Sequence, residues 1–354
     1  MKIYDKTTAC SLDTKGQNRN DEDIEGIVAS SDRILSSSSI PSEHEIEAIL
    51  TRCENIAKNL LLPFAQPLEN TRSAATALLS VNDPAPTTPA LKPKKFSSNV
   101  QKYFDKLSKV AYWTLLHPPV FITPNVLERY VSLHSRLRKP ETLPEIFELY
   151  STKKIPIDGS SPIRYRTQWP DKIANAIKRT VADQALQIAI DTKQLAVAMG
   201  IIESTYAKKA FRRDKFIRKG LVPALGLALA PPAIHAVASQ LATYQTSMDS
   251  TMATNMAFAG LLAYVGFTST IGLVAIATAN DQMDRVTWAP GMSLRQRWIR
   301  EEERAAIDKV AGAWGFREKW RRGEEEGEEW DALREWIGHK GMILDRVELM
   351  EGME

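Results

Sequence analysis

The sequence has almost no cysteine. Cys10 and Cys53 are two isolated thiols in 354 residues, with no spacing that suits a disulfide framework or a zinc site. A reducing compartment, or one where cysteine is simply unused, fits best. There is no Gly-rich phosphate loop, no nucleophile elbow and no His-Glu-x-x-His. The five histidines (His44, His117, His134, His235, His339) are scattered. No catalytic set assembles, so neither an enzyme nor a cofactor or metal is expected. The first 25 residues carry Asp5, Asp13, Asp21, Glu22, Asp23 and Glu25 and no apolar core, which suits neither a secretory signal nor an Arg-rich transit peptide. Targeting is expected to be internal, or to start elsewhere.

The absence that organises the chain is one of charge. Leu221 to Met248 has only His235 as an ionisable group, and Thr251 to Asn280 has none. In a chain with 25% charged residues, two blanks of that length are not chance. A helix needs about 20 mostly apolar residues to cross a bilayer, so 220–280 reads as a transmembrane hairpin with spans 221–243 and 254–278. The bland alternative is a pair of Ala-rich helices buried in a soluble core. Pro231, Pro232, Gln240 and His235 make the first span the weaker of the two.

The net charge of +3 points to no polyanion partner, but its distribution is uneven. Lys208, Lys209, Arg212, Arg213, Lys215, Arg218 and Lys219 precede the hairpin against a single Asp214, while 323–354 carries eleven acids and three bases. Arg285, Arg295, Arg297 and Arg300 follow it. Lys and Arg near span ends stay on the untranslocated side, so both termini are expected in one compartment and the turn near Thr246 to Ser250 in the other.

Around the hairpin the chain reads as helical. Residues 1–40 are polar and end in a serine run, which predicts a disordered tail. A helical-pair domain is expected over 41–207. It opens with a capping box, Ser42 and Glu45, and an apolar stripe through Ile46, Ile49, Leu50, Cys53, Ile56, Ala57 and Leu60. A Pro-rich linker is read at 82–96. A helix through Phe104 and Leu107 stops at His117-Pro118-Pro119. Thr123 and Pro124 start the next, which carries Leu127, Tyr130, Val131 and Leu137. Thr142 and Glu145 open another capping box, and a further pair is predicted near 171–191 and 194–207. No stretch alternates well enough to predict a strand. A helical C-terminal region follows over 281–354, with a charged helix opened by Ser293 and Gln296 lying near the membrane surface. Trp288 and Trp298 are candidates for the headgroup zone. Trp330, Leu333, Trp336 and Ile337 form a small helical cap. The fold class is all-α: a solenoid-like bundle of helix pairs, the hairpin and the cap.

Successive helix pairs are similar in architecture to tetratricopeptide and pentatricopeptide solenoids, without their repeat period or motif. His117-Pro118-Pro119-Val120-Phe121, the hairpin, and the segment Ala279 to Trp288 resemble a family of fungal mitochondrial membrane proteins over roughly 98–354. That resemblance implies a mitochondrial membrane location and no particular chemistry.

Four sets of residues are candidates for function. Ala259, Ala263, Gly266 and Gly272 space small side chains along the second span, a pattern that lets helix backbones approach closely. They could pack on the first span, a second copy or another membrane protein. His235 is an ionisable group inside a span, read either as a functional polar site or as a donor to a carbonyl freed by Pro231 and Pro232. Asp281 and Asp284 at the end of the second span read as a salt link with Arg285 or the bases before the first span, in preference to a proton relay. The leading expectation is a non-enzymatic anchor, scaffold or assembly factor of the mitochondrial inner membrane. Both termini would face the matrix, and its partners would be the lipid bilayer and a membrane or matrix protein. The alternatives are a membrane-tethered RNA-binding factor for mitochondrial gene expression, using Arg136, Arg138, Lys139, Arg164 and Arg166, and a small transporter subunit. RNA is the less favoured partner, because those bases cluster at loops.

Overall fold

The computed structural model describes residues 7–37, 39–65, 98–157, 159, 163–278 and 283–345. The chain is mostly helical, with eleven α-helices and four three-residue strands among these residues. The expected linker at 82–96 lies outside them. The chain divides into two compact units, 1–142 with 152–168, and 143–151 with 169–354. The helix pairs expected in one domain over 41–207 are thus shared between the two.

In the first unit, α1 (Thr7–Ser36) replaces the disordered tail expected over 1–40. Ile24, Ile27 and Ile34 recur at helical spacing and are buried, so this polar stretch carries a stripe that makes helix worthwhile. Helix α2 (Glu43–Ala65) has the predicted capping box: the Glu45 amide donates to Ser42 Oγ and the Ser42 amide to Glu45 Oε2, each at 3.3 Å. The predicted stripe from Ile46 to Leu60 is buried. Cys53 lies in it with no exposure, and burial pushes its thiol up to about 12, so it packs as a small apolar group. Helix α3 spans Ser98–Leu116 and α4 spans Pro124–Leu137. Thr123 Oγ1 accepts from the Val126 amide at 3.3 Å to start α4, and Arg138 in left-handed conformation (φ 53°) ends it. A ribbon that the sequence did not announce pairs β1 (Ile155–Ile157) with β2 (Arg164–Arg166), Ile155 facing Arg166.

His134 is the polar centre of this unit. It has no solvent exposure, and its ring stacks at 4.0 Å on Tyr130. Nδ1 lies 3.0 Å from the Tyr130 carbonyl, and Nε2 lies 3.2 Å from Ser108 Oγ. Burial outweighs the favourable carbonyl contact and holds the imidazole at about 4, against 6.5 ordinarily. A folded-state value below the unfolded one means that the unfolded chain binds the extra proton. The stability that neutral His134 contributes is therefore complete above about pH 6.5 and is lost as the pH falls toward 4, by on the order of 2–3 kcal/mol. Thermal unfolding between pH 7 and pH 5 should show a Tm decrease in the parent chain that is clearly smaller in His134→Gln.

The second unit begins with α5 (Leu143–Thr152), which buries Leu143, Ile146, Phe147 and Tyr150. The expected pair near 171–207 is present as α6 (Arg179–Asp191) and α7 (Leu195–Ser204), but 171–178 forms only a 3-10 turn at Ile173–Asn175. Two long helices follow, α8 (Lys209–Thr243) and α9 (Ser250–Thr278), packed on each other. Both are long and apolar enough to cross a membrane. Strand β3 (Val286–Trp288), α10 (Leu294–Trp314), α11 (Glu328–His339) and β4 (Met342–Leu344) complete the unit, β3 and β4 pairing antiparallel with Val286 opposite Leu344.

Helix α10 differs from the charged surface helix expected of it. It packs against α6, α7, α8, α9, α11 and β3, and buries Glu302, Glu303, Arg304 and Asp308 beside Ile307, Val310 and Ala311. Ser293 caps its start without the expected side-chain hydrogen bond. Trp288, read as interfacial, is buried in β3. Trp330, Leu333 and Ile337 are core, as expected, while Trp336 is half-buried and donates to Glu203 at 2.9 Å.

The chain leaving α9 is fixed by ions. Asp308 accepts from the amides of Asp284 (3.1 Å), Arg285 (2.8 Å) and Val286 (2.8 Å), which aligns the start of β3. The Arg285 side chain is fully buried and donates to Asp345 Oδ1 at 2.8 Å and Glu325 Oε1 at 2.7 Å. Burial would raise the Glu325 carboxyl, but the amides of Phe316 and Gly323 and the Arg285 guanidinium outweigh it and hold it below its ordinary value. Gly315 leaves the space this guanidinium fills, since a Cβ there would overlap it. Breaking one side of a buried ion pair costs about 3–5 kcal/mol. Arg285→Ala should therefore lower the Tm of the detergent-solubilised chain strongly, and Gly315→Ala should lower it too by displacing the same group. A Tm unchanged in both would rule out this anchoring.

Candidate membrane-facing site

The apolar hairpin is exposed along both helices. Leu229 (64%) on α8 and Tyr264 (68%), Phe267 (68%) and Leu273 (63%) on α9 have little protein against them. The alternative of two helices buried in a soluble core is therefore not what the chain forms. Pro223, Pro231 and Pro232 lie within α8 without ending it.

The seam between α8 and α9 mixes alanines with Ile234, Leu261 and Val265, and does not use the small residues singled out from the sequence. Ile234, Ala238 and Ala242 are buried on α8 and Ala253 on α9, with Ala257, Leu261 and Val265 half-buried at the same four-residue interval. Ala259, Ala263, Gly266 and Gly272 are exposed, and nothing lies within 4 Å of a Cβ built on either glycine. Of the neighbours considered for that face, the first span is excluded within this chain. The missed signal was the same spacing repeated as Ala238/Ala242 and Ala253/Ala257. His235 is exposed on α8, meets Phe258 edge-on at 5.8 Å, and has no hydrogen-bond partner among the described residues.

At the hairpin base, three of the bases preceding the first apolar run, Arg212, Lys215 and Lys219, are bound by acids of α10. Lys215 is nearly buried and pairs with Glu302, which also takes Lys219 at 3.1 Å. Burial would raise the Glu302 carboxyl, but the Lys215 hydrogen bond and charge outweigh it and lower it. Glu303, 1% exposed, takes Arg212 at 3.0 Å and Arg300 at 2.9 Å. Arg218 pairs with Asp214 at 2.9 Å, and Arg213 donates to the Asp171 carbonyl at 2.8 Å. Trp298, the second candidate for the headgroup zone, is half-buried here with Lys215 Nζ 5.1 Å from its ring centre and Phe216 edge-on at 6.3 Å. Arg295 has no partner among the described residues.

The salt link expected at the end of the second span forms with a different base. Asp284 pairs with Arg322 at 2.7 and 2.8 Å, and that hydrogen bond holds its carboxyl below the usual range, while Arg285 is taken by Glu325 and Asp345. Asp281 lies outside the described residues. The bases considered for RNA are in the first unit. Arg136 binds Glu54 at 2.9 Å, Lys139 binds Asp105, Arg138 is the left-handed cap of α4, and Arg164 and Arg166 stand on exposed β2. Among the described residues no group of three or more His, Cys, Asp or Glu is placed to hold a metal.

Comparison of the chain with family models, curated proteins and solved structures returns no match.

The seam carries its own test. Overpacking a close contact costs about 1–3 kcal/mol. Ala238→Leu should separate α8 from α9 and raise hydrogen exchange across 234–243 about tenfold, whereas Gly266→Leu should leave it unchanged. Equal exchange in the two variants would mean that Ala238 is not at a close contact.

Proposed function

We propose that this chain is a non-catalytic membrane scaffold of the mitochondrial inner membrane. Helices α8 and α9 form its two-span anchor, and its helical units present docking surfaces on one side. A single observation carries the reading: the apolar faces of α8 and α9 are bare, while Lys215, Glu302 and Glu303 at their base are buried and paired. In water that surface would far exceed the few hundred Å² of contiguous apolar area a soluble monomer tolerates. In a bilayer it costs nothing, and the unbroken α9 satisfies its own backbone.

Orientation follows from Lys and Arg rather than from net charge, so their pairing with Glu302 and Glu303 leaves it intact. The bases that precede the apolar run of α8 and those from Arg285 to Arg300 support an orientation with both chain ends on the matrix side and the turn at 244–249 on the other. The solenoid-like bundle belongs to this reading as the surface on which a matrix or membrane protein docks. The RNA-binding alternative has less support, since Arg136 and Lys139 are already engaged by acids.

The chain should remain in the pellet after carbonate extraction. Protease added to mitoplasts should leave tags at both ends intact and cut at 244–249 at most. Recovery in the carbonate supernatant would overturn the anchor. Digestion of either tag while a matrix marker survives would overturn the orientation.

A further inference from the structure

Two depressions meet at the base of the hairpin, where α8 enters its apolar run. The first is a groove of about 360 Å³ between the start of α8, the end of α9 and the start of α10. Its walls are carbon, from Pro223, Ala224, Leu227, Leu273 and Trp298. The second, about 390 Å³, is walled by Lys209, Arg212, Arg213 and Arg295 with Ile299. Phe216 and Arg295 line both, so the two depressions are neighbours, and the four bases of the second stand among Ile173, Phe216, Ile217 and Ile299.

The basic half is not saturated. Arg295 is exposed and has no partner among the described residues. Arg212 gives Nη2 to Glu303 while its side chain stays 31% exposed, so that end of the guanidinium still faces the depression. Lys209 reaches Asp171 only at 3.6 Å between two exposed groups, a pairing of little strength. Guanidinium groups with open donors suit a phosphate, which they bind through paired, charge-assisted hydrogen bonds.

We propose that these joined depressions bind one anionic phospholipid, its phosphate among Arg295, Arg213 and Arg212 and an acyl chain along Leu227 and Leu273. The inference rests on α8 and α9 lying in a bilayer. The apolar groove is continuous with their lipid-facing surface, since Leu227 is 58% and Leu273 63% exposed, so an acyl chain enters it without leaving the membrane. Charge complementarity selects the head group. A second copy of this chain would bring the same bases against themselves, and a zwitterionic lipid would set its own cation among them.

The chain is placed in nanodiscs of equimolar phosphatidylglycerol and phosphatidylcholine, released into detergent, and its retained lipid read by native mass spectrometry. Phosphatidylglycerol should be retained in preference. Arg295→Glu combined with Arg213→Glu should cut that retention about tenfold or more, the loss of one charge-assisted contact being worth that much. Leu227→Trp, which fills the groove, should cut it as well. Arg164→Glu with Arg166→Glu, in the other unit, should not. Because reversed charge risks misfolding, Arg295→Gln is compared with its Tm, and retention must fall while the Tm holds. Equal retention of both lipids overturns the proposal, as does retention indifferent to the Arg295 variants or to Leu227→Trp. Displacement of phosphatidylglycerol by inorganic phosphate alone would reduce the site to an anion site without a lipid. Failure of the chain to enter nanodiscs would instead overturn the membrane reading itself.

Discussion

Glu302 and Glu303 hold the base of the hairpin. They sit side by side on α10 with almost no solvent, and between them they take Lys215, Lys219, Arg212 and Arg300. A buried carboxylate without a partner would cost several kcal/mol. Each therefore needs the basic stretch of α8 in one rotation and at one depth. That requirement sets which face of α8 meets α10 and where the apolar run leaves the packed part of the unit. It also explains why a helix as charged as α10 is an interior element: its charges point at opposite charges.

The Arg285 network does the corresponding work on the way out. Asp308 arranges the backbone after α9, and Arg285 draws in Asp345 from beyond β4 and Glu325 from the loop before α11. A short ribbon, β3 with β4, closes beside them. Both long helices thus enter and leave through ionic clamps on α10 or its neighbours. An apolar hairpin has no polar detail of its own to fix its position, and these clamps supply it.

Much of this was legible in the sequence where a local rule decides the outcome. Thr123 with Pro124, and Ser42 with Glu45, start helices because the orphan amides of a first turn need an acceptor nearby in sequence. The charge-free runs gave both long helices, since charge is what a membrane-length helix cannot carry freely. Helix α1 was missed because average polarity hid Ile24, Ile27 and Ile34, whose spacing already described a buried stripe. The ribbons were illegible because three residues are too few to show alternation. The pairs Arg285–Asp345 and Arg285–Glu325 span 60 and 40 residues, and nothing local announces which carboxylate a given arginine will meet. The small-residue face on α9 is exposed, and the seam between the two helices lies elsewhere, where Ala238 and Ala242 on α8 meet the Ala253 side of α9.

The prolines of α8 make the two arms of the hairpin mechanically unequal. Pro223, Pro231 and Pro232 bring no amide proton, so the carbonyls of Lys219, Leu227 and Ala228 lose their usual helical donor. Helix α9 keeps its ladder whole and behaves as a stiff rod. Helix α8 has two points where rotation costs less, one near its basic end and one midway along its apolar run. A lateral load from a docked neighbour would bend α8 and leave α9 straight. The hairpin is then a post with a jointed strut beside it, and the strut is the arm that reaches the groove at its foot.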